Sequence, residues 1–331
     1  METETSPQIS VVIGAYNEKE RIARTLQSLL GQTISDFEII VVDDGSIDDT
    51  TKVVSDFIDE RVRLITIDQN QGLPGALNRG IDVARGKYIA RADADERSLP
   101  HRLQRQSDVL TKRQDIQAVG CWYRYIGRSG EQIVDVEVPS DRSFNVSDLL
   151  ENGPGVAHGS MMIRNEALSV INGYRESFQL AQDYDLWLRM AEAFGNDWLH
   201  IVSDVLYERK IDVSQLEKRQ RQRIYSEAAR ECARARRQGR SGDEILHGLP
   251  ERAASADEPD FTRKELEGMY HYLVGTKLLE QNETYAARRR LLKALWFAPN
   301  RVRPWYRFGL SLLQPEQRHS VQCWVRSKYT K

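Results

Sequence analysis

Tyr88-Ile89-Ala90-Arg91-Ala92-Asp93-Ala94-Asp95 is a short apolar strand that ends in two carboxylates one residue apart. Side chains alternate along a strand, so Asp93 and Asp95 point to the same side. At the carboxyl end of a sheet, where open α/β sheets keep their ligands, the two can converge on one hard cation. Two carboxylates give only part of an oxygen shell, and Mg²⁺ or Mn²⁺ completes such shells with water and substrate phosphates. A lone Asp-x-Asp is also a common acidic turn, so the neighbouring sequence decides.

Upstream, the same strand-then-polar-turn pattern recurs. Ile9-Ser10-Val11-Val12-Ile13 is nearly all apolar, as expected of a parallel strand covered on both faces. Ile22, Leu26, Leu29 and Leu30 follow with helical spacing. A second strand, Glu38-Ile39-Ile40-Val41-Val42, ends in Asp43-Asp44-Gly45-Ser46. A third, over residues 62–67, precedes Asp68-Gln69-Asn70-Gln71-Gly72 and a helix carrying Leu73, Leu77, Ile81 and Ala84. This alternation predicts a doubly wound, mostly parallel α/β sheet with helices on both faces. Its polar strand ends gather on one edge and suggest one site.

From about residue 116 the pattern changes. Residues 116–122, 132–138 and 160–164 read as strands, and a helix begins at Asp183 with Leu186, Met190 and Ala193 on one face. Two further strands are expected near 198–202 and 205–209. Such a mixed second half would build the other wall of a cleft. Beyond residue 213 the chain reads as helical. Residues 239–262 are loop-like, and 263–313 form helical segments. Gly275, Tyr285, Ala294 and Pro299 fall where a tetratricopeptide unit would place them. About one and a half such units are present where a solenoid needs about three, so a packed helical appendage is expected. The reading is a domain over 1–213 and a helical region over 214–331, with a tetratricopeptide-like hairpin around 263–313.

The 331 residues are 40% hydrophobic and 29% charged, as in globular proteins. The net charge of -2 hides an asymmetry: residues 214–331 hold 24 Lys and Arg against 14 Asp and Glu, a net of +10. Such a basic tail suits an anionic lipid surface, nucleic acid or an acidic polymer, or is a solvated helical face. Cys121, Cys232 and Cys323 form neither a disulfide framework nor a zinc cluster, which points to a reducing cytoplasm. No signal peptide and no apolar run of about 18–20 residues is visible, so a soluble or peripheral protein is expected.

From Ile9 to about Arg209 the chain resembles the inverting, bacterial-type family 2 glycosyltransferases of GT-A fold. The matching stretches are Val11-Val12-Ile13-Gly14-Ala15-Tyr16-Asn17-Glu18, Ile40-Val41-Val42-Asp43-Asp44-Gly45-Ser46, Asn70-Gln71-Gly72-Leu73 and Ala76-Leu77-Asn78-Arg79-Gly80. They continue through Ala84 to Asp95, then His158-Gly159-Ser160, Gly173-Tyr174-Arg175 and Gln182-Asp183-Tyr184-Asp185-Leu186-Trp187-Leu188. Each alone is weak; their order and spacing together carry the resemblance, over roughly two thirds of the chain.

The resemblance implies transfer of a sugar from a nucleotide-sugar donor, UDP first, to a glycan or lipid-linked acceptor of surface polysaccharide or glycolipid synthesis. The loop through Ala15, Tyr16 and Glu18 would line the nucleotide. Tyr16 would lie against the base and Asp43 would accept the base N–H. Asn70, Arg79 and Ala94 would lie along the donor, and Asp93 would approach its ribose or sugar. Asp95 would ligate Mn²⁺ or Mg²⁺, and Asp183 would be the general base. The chain departs from the family at Ala15, where Thr is common, at Gln182, where Glu is common, and at Glu96, where Asp is frequent. Gln182 removes a negative charge beside Asp183, which lowers its pKa relative to a Glu neighbour.

Several residues carry two readings. Asp183 and Asp185 precede an apolar-periodic stretch, so Asp183 is either the base or a helix N-cap. His158 either touches donor phosphates or acceptor, or is a loop hydrogen-bonder. Trp187, four residues after Asp183, either stacks on a sugar or packs in the core. Arg288-Arg289-Arg290, near Trp296 and Trp305, is either a solvated ridge or a peripheral contact with the inner face of the plasma membrane. No nucleic-acid partner is expected. A catalytically silent relative that binds sugar nucleotide is the rival of a different class. A receiver domain would leave residues 158–209 unexplained, and no Gly-x-Gly-x-x-Gly follows the first strand, which argues against a dinucleotide oxidoreductase.

Overall fold

A computed structural model describes residues 6–211, 213, 218–256, 261–318, 320 and 321. The first half alternates as expected: β1 Ile9–Ala15, α1 Ile22–Leu30, β2 Phe37–Asp43, α2 Thr50–Ser55, β3 Val62–Thr66, α3 Leu73–Asp82 and β4 Tyr88–Arg91. Next come β5 Arg97–Ser98, α4 Arg102–Lys112, β6 Ala118–Ile126, β7 Gln132–Val136 and α5 Val146–Asn152. A 3₁₀ turn at His158–Ser160 leads into β8 Met162–Arg164, α6 Asn165–Val170, α7 Gln182–Phe194 and β9 Leu199–Lys210. Helices α8 Arg219–Arg237, α9 Asp243–His247, α10 Leu249–Ala254, α11 Arg263–Glu280, α12 Thr284–Phe297 and α13 Val302–Ser311 complete the described chain.

One mixed sheet has the strand order β3-β2-β1-β4-β8-β6-β9-β5, with β7 paired to β6. β1, β2, β3 and β4 are parallel to one another, with Ala15 beside Asp43. The pairs β4–β8, β6–β8 and β5–β9 are antiparallel. β1 and β2 are buried along nearly their whole length because helices cover both faces, which is why their sequences are apolar rather than alternating. The Glu38 carboxylate inside β2 is satisfied by Ser10 Oγ at 2.7 Å and Arg63 at 2.7 Å.

Several expectations change. The strand read as running to Asp95 ends at Arg91, so Asp93 and Asp95 lie in the turn beyond it and do not alternate along a strand. The stretch 239–262, read as loop-like, contains α9 and α10. The strands expected at 198–202 and 205–209 are one strand, β9, because Ser203 and Asp204 are polar residues on its surface rather than a turn. The expected strand over 160–164 begins only at Met162, since His158–Ser160 forms a 3₁₀ turn.

The chain forms two compact units. Unit 1 comprises the described residues up to 124, 135–209 and 220–256; unit 2 comprises 125–134, 210–219 and those from 261 onward. Residues 220–256 thus belong with the sheet: α8 buries Tyr225, Ala228, Ala229 and Cys232, and Tyr225 packs beside Phe178. In unit 2, α11 and α12 form a close hairpin. A Cβ on Gly275 would come within 2.8 Å of Leu291, so glycine there lets the two helices approach. Cys323 and the other residues beyond 321 lie outside the described residues.

Candidate active site

The carboxyl ends of β1, β2 and β3 bring three loops together, and hydrogen bonds from their backbone N–H groups lock them. Asn17, in a left-handed conformation at φ 57°, donates its N–H to Ser46 Oγ at 2.9 Å and accepts from Ile47 N at 3.0 Å. Glu18 N donates to Thr50 Oγ1 at 2.8 Å, and Asp44 N to the Ala15 carbonyl at 2.8 Å. The Asp44 carboxylate, which the sequence marked only as part of a motif, accepts from Gln71 N at 2.8 Å and Gly72 N at 2.9 Å. It holds the turn in which Asn70 Oδ1 accepts from Gly72 N. Tyr16 stands out from this frame at 44% exposure, free to cover a planar base. Buried Asp43 accepts from Ser46 N at 3.0 Å and from the Thr51 hydroxyl. Each of its oxygens keeps one further acceptor site for a ligand. Arg79 is exposed in the last turn of α3, about 9 Å down the axis from the start of that helix.

Past β4 the chemistry is charged and buried. Asp93 Oδ1 accepts from Arg91 at 2.5 Å, and Asp93 N donates to the Tyr207 hydroxyl at 3.0 Å. Arg209 Nε donates to Glu96 Oε1 at 3.0 Å. A Cβ on Gly159 would fall 2.1 Å from Tyr207 Oη and 2.8 Å from Asp93 Oδ2, so only glycine lets the His158–Ser160 turn approach this cluster. Burial works to raise the Asp93 pKa, but the Arg91 guanidinium, with Arg209, holds it below the usual carboxylate range. Glu96 goes the other way: burial, with Asp93 and Asp95 beside it, lifts it to about 8 despite Arg209. Asp93 is therefore a fixed anion, while Glu96 is protonated at neutral pH.

His158 Nε2 lies 2.7 Å from the Tyr174 hydroxyl, and the ring sits edge-on to both Tyr174 and Trp187. Burial and the nearby Arg91 push His158 down to about 3, so the imidazole is neutral and is no cation for a phosphate. Of its two readings, the buried hydrogen-bonder is the one seen. Trp187 is fully buried and stacks on Trp198 at 5.7 Å between ring centroids. A side chain without accessible surface cannot stack on a sugar, so the expected donor or acceptor contact at Trp187 is replaced by core packing.

Asp183 occupies the first turn of α7, but the residue at the cap is Ala181, held left-handed at φ 55°. Asp183 Oδ1 accepts from the adjacent Tyr184 N at 2.8 Å, so the side chain is not an N-cap. Burial raises its pKa, opposed by the Tyr184 N–H and Arg209 and reinforced by the negative Asp93. That mutual influence places Asp183 in the same electrostatic cluster as Asp93 and Arg209. Two residues on, fully buried Asp185 is clamped by Arg175 and by Arg189 at 2.8 Å, which fixes the start of the helix.

Partly exposed Asp95 sits 3.7 Å from Arg21 Nη1, and Arg21 Nε pairs with Glu18 Oε2 at 2.7 Å. Neighbouring Ala94 is buried. Among the described residues, no group of three or more His, Cys, Asp or Glu side chains could hold a metal. With Asp93 taken by Arg91, the donor set is a single carboxylate. This fits Mg²⁺ or Mn²⁺ shared with phosphate oxygens and water, and does not fit an all-protein metal cage.

Sequence reading missed Arg91, Tyr174, Tyr207 and Arg209. Arg91 carried a usable signal, since it is a charged residue closing an otherwise apolar strand only two residues before Asp93. Tyr207 is positioned by the buried Arg102, whose guanidinium lies 4.8 Å from the Tyr207 ring and donates to the Arg91 carbonyl at 2.7 Å. Nothing local in the sequence announces that contact.

The family model for glycosyl transferase family 2 matches residues 10–171. EpsE of Bacillus subtilis is 32% identical over 196 residues, covering 57% of this chain and 68% of the relative. The O-antigen biosynthesis glycosyltransferase WbnJ of Escherichia coli is 30% identical over 208 residues, covering 61% and 79%. The structure of S. aureus TarS 1-349 in complex with UDP superposes with a TM-score of 0.54 at 15% identity, covering 92% of this chain and 90% of that one, a likeness of fold. No helix among the described residues is long and apolar enough to cross a membrane. With the mixed α/β sheet and its acidic edge, these relatives establish that the chain belongs to glycosyl transferase family 2.

Proposed function

We propose that this chain transfers a sugar, with inversion, from a UDP-sugar to a hydroxyl of a growing surface polysaccharide or glycolipid. The observation that carries this reading is two unlike, electrostatically coupled carboxylates: Asp93 just beyond β4, held ionised by Arg91, and Asp183 in the first turn of α7, raised by burial and by Asp93. Inversion in one step needs a base that takes the acceptor proton as the hydroxyl attacks, and Asp183 is that base. Asp93 holds donor hydroxyls, its charge held by Arg91 and its backbone N–H by the Tyr207 hydroxyl. Tyr16 covers the base, and Asp43 accepts from its N–H. The relatives support the substrate class: one is named for O-antigen biosynthesis, and TarS was solved with UDP and with UDP-GlcNAc.

Asp95 would hold Mn²⁺ or Mg²⁺, which when bound offsets the charge of the leaving diphosphate. Arg21, held by Glu18 near Asp95, adds a protein cation at the same place. The test is a screen of nucleotide sugars with Mn²⁺ or Mg²⁺ present, scoring which nucleoside diphosphate is released. UDP release from at least one UDP-sugar, lost in EDTA, is expected. Release of GDP alone would overturn the donor assignment, and equal release in EDTA the metal.

We also propose that unit 2 rests on the cytoplasmic membrane surface. Of Arg288-Arg289-Arg290, Arg288 is bound to the Ser311 carbonyl at 2.6 Å, and Arg290 faces Glu131 and His271. The surface that favours a bilayer is the exposed set Trp296 at 75%, Val302, Trp305 at 54% and Leu312. Co-sedimentation with phosphatidylglycerol vesicles, reduced several-fold in a Trp296→Ala/Trp305→Ala variant, is the expected result. Equal pelleting with and without the two tryptophans would remove this reading.

A further inference from the structure

We propose that unit 2 carries a binding site for an anionic saccharide, a charged unit of the acceptor glycan, which rests on the glycosyltransferase reading above. The β6–β7 tip and the α11–α12 hairpin enclose a cavity of about 330 Å³, within the range of small-molecule sites. Ile133, Leu278 and Ala286 make an apolar floor, and Arg289, Arg290 and Lys293 stand round it. Glu131, the acid among the described lining residues, is already engaged. It accepts from Ser129 N at 3.0 Å and from the Tyr270 hydroxyl at 3.3 Å, and faces Arg290 at 3.5 Å. Arg289 and Lys293 lie one helical turn apart on the same face of α12 and form no ion pair among the described residues. The cavity therefore has two uncompensated positive charges above an apolar base.

The neighbouring His271 registers this potential. Burial first, and then Arg290 and Lys293, push it down to about 4. Tyr285, one turn before Arg289 on the same face, leaves its ring 75% exposed. Apolar floor and aromatic face suit the C–H faces of a sugar ring, and the cations suit a carboxylate or phosphate on it. A hollow of this size suits a discrete ligand better than a flat bilayer. A second hold on a repeating acceptor would raise its effective concentration at the enzyme.

The test is calorimetry on the full chain, without donor or metal, using tetragalacturonate, mannose 6-phosphate and neutral maltotetraose. At least one anionic probe should bind, with maltotetraose silent. Binding should fall by about tenfold or more in an Arg289→Gln/Lys293→Gln variant, at both exposed positions, and several-fold in Tyr285→Ala. UDP affinity should be the same in wild type and double variant. Loss of UDP binding in every protein would strike the function proposed above and leave the cavity reading intact. Binding of neither anion, or equal binding by the double variant, overturns the cavity reading. So does a double-variant defect seen only with phosphatidylglycerol vesicles, which would make the cavity a lipid-headgroup site.

Discussion

The strand end that carries Asp93 and the helix start that carries Asp183 treat a carboxylate in opposite ways. Burial raises the pKa of both. At the strand end, Arg91 and Arg209 outweigh it and Asp93 stays charged. At the helix start, a backbone N–H from Tyr184 and Arg209 do not, and Asp183 rises. Burial acts on both alike, and the partners decide which carboxylate stays a fixed anion and which is raised.

The largest expected effect breaks the helix side of this contrast. Asp183→Asn can still accept from Tyr184 N but cannot take a proton. Transfer should fall by about 10²–10⁴-fold, the usual worth of a general base, with melting temperature and UDP affinity kept. Turnover within a few-fold of wild type would falsify the base assignment.

The strand side is tested by Arg91→Met, which leaves the partly exposed Asp93 without its main cation. Losing a hydrogen bond to a charged group costs about 1.5–3 kcal/mol. Denaturant titration should show a loss of that order, and a loss under about 1 kcal/mol would show that Arg91 does not hold the strand end.

The pH–rate profile sharpens the contrast. A raised Asp183 stays protonated, and inactive as a base, to a higher pH than an ordinary aspartate. The acid limb at saturating donor should therefore lie above the usual Asp range and move further up in Arg209→Gln, which removes a lowering cation. A limb that moves down in that variant would contradict the assigned electrostatics.

The smallest effect is expected at His158, neutral down to about 3. The depressed histidine contributes stability that is full above its unfolded value of about 6.5 and is lost as pH falls towards 3. His158→Gln should flatten that acid-side slope in thermal melts and keep transfer within about tenfold. A steeper slope in the variant would reverse the sign.

The parallel half of the fold and its acidic edge were legible because buried strands there are continuous apolar runs that stop at polar turns. Asp43, Asp93 and Asp95 followed from strand ends alone. The antiparallel half was harder. Ser203 and Asp204 read as a break but lie within one strand. Tyr207 reaches Asp93 N, and Arg209 reaches Glu96, only because β9 pairs with β5, Ser98 beside Tyr207. Contacts between residues that far apart leave no local periodicity. Trp187 shows a second limit: spacing puts it on the face of Asp183, but helical arithmetic does not say that this face turns inward at its second turn.

The central claim is that one site holds one carboxylate down and pushes the other up. Carbon-13 carboxyl titration of the full chain, assigned with Asp93→Asn and Asp183→Asn, measures both directly. The account predicts Asp93 below the ordinary value of about 3.9 and Asp183 above it. Asp183 titrating at or below Asp93 would contradict it.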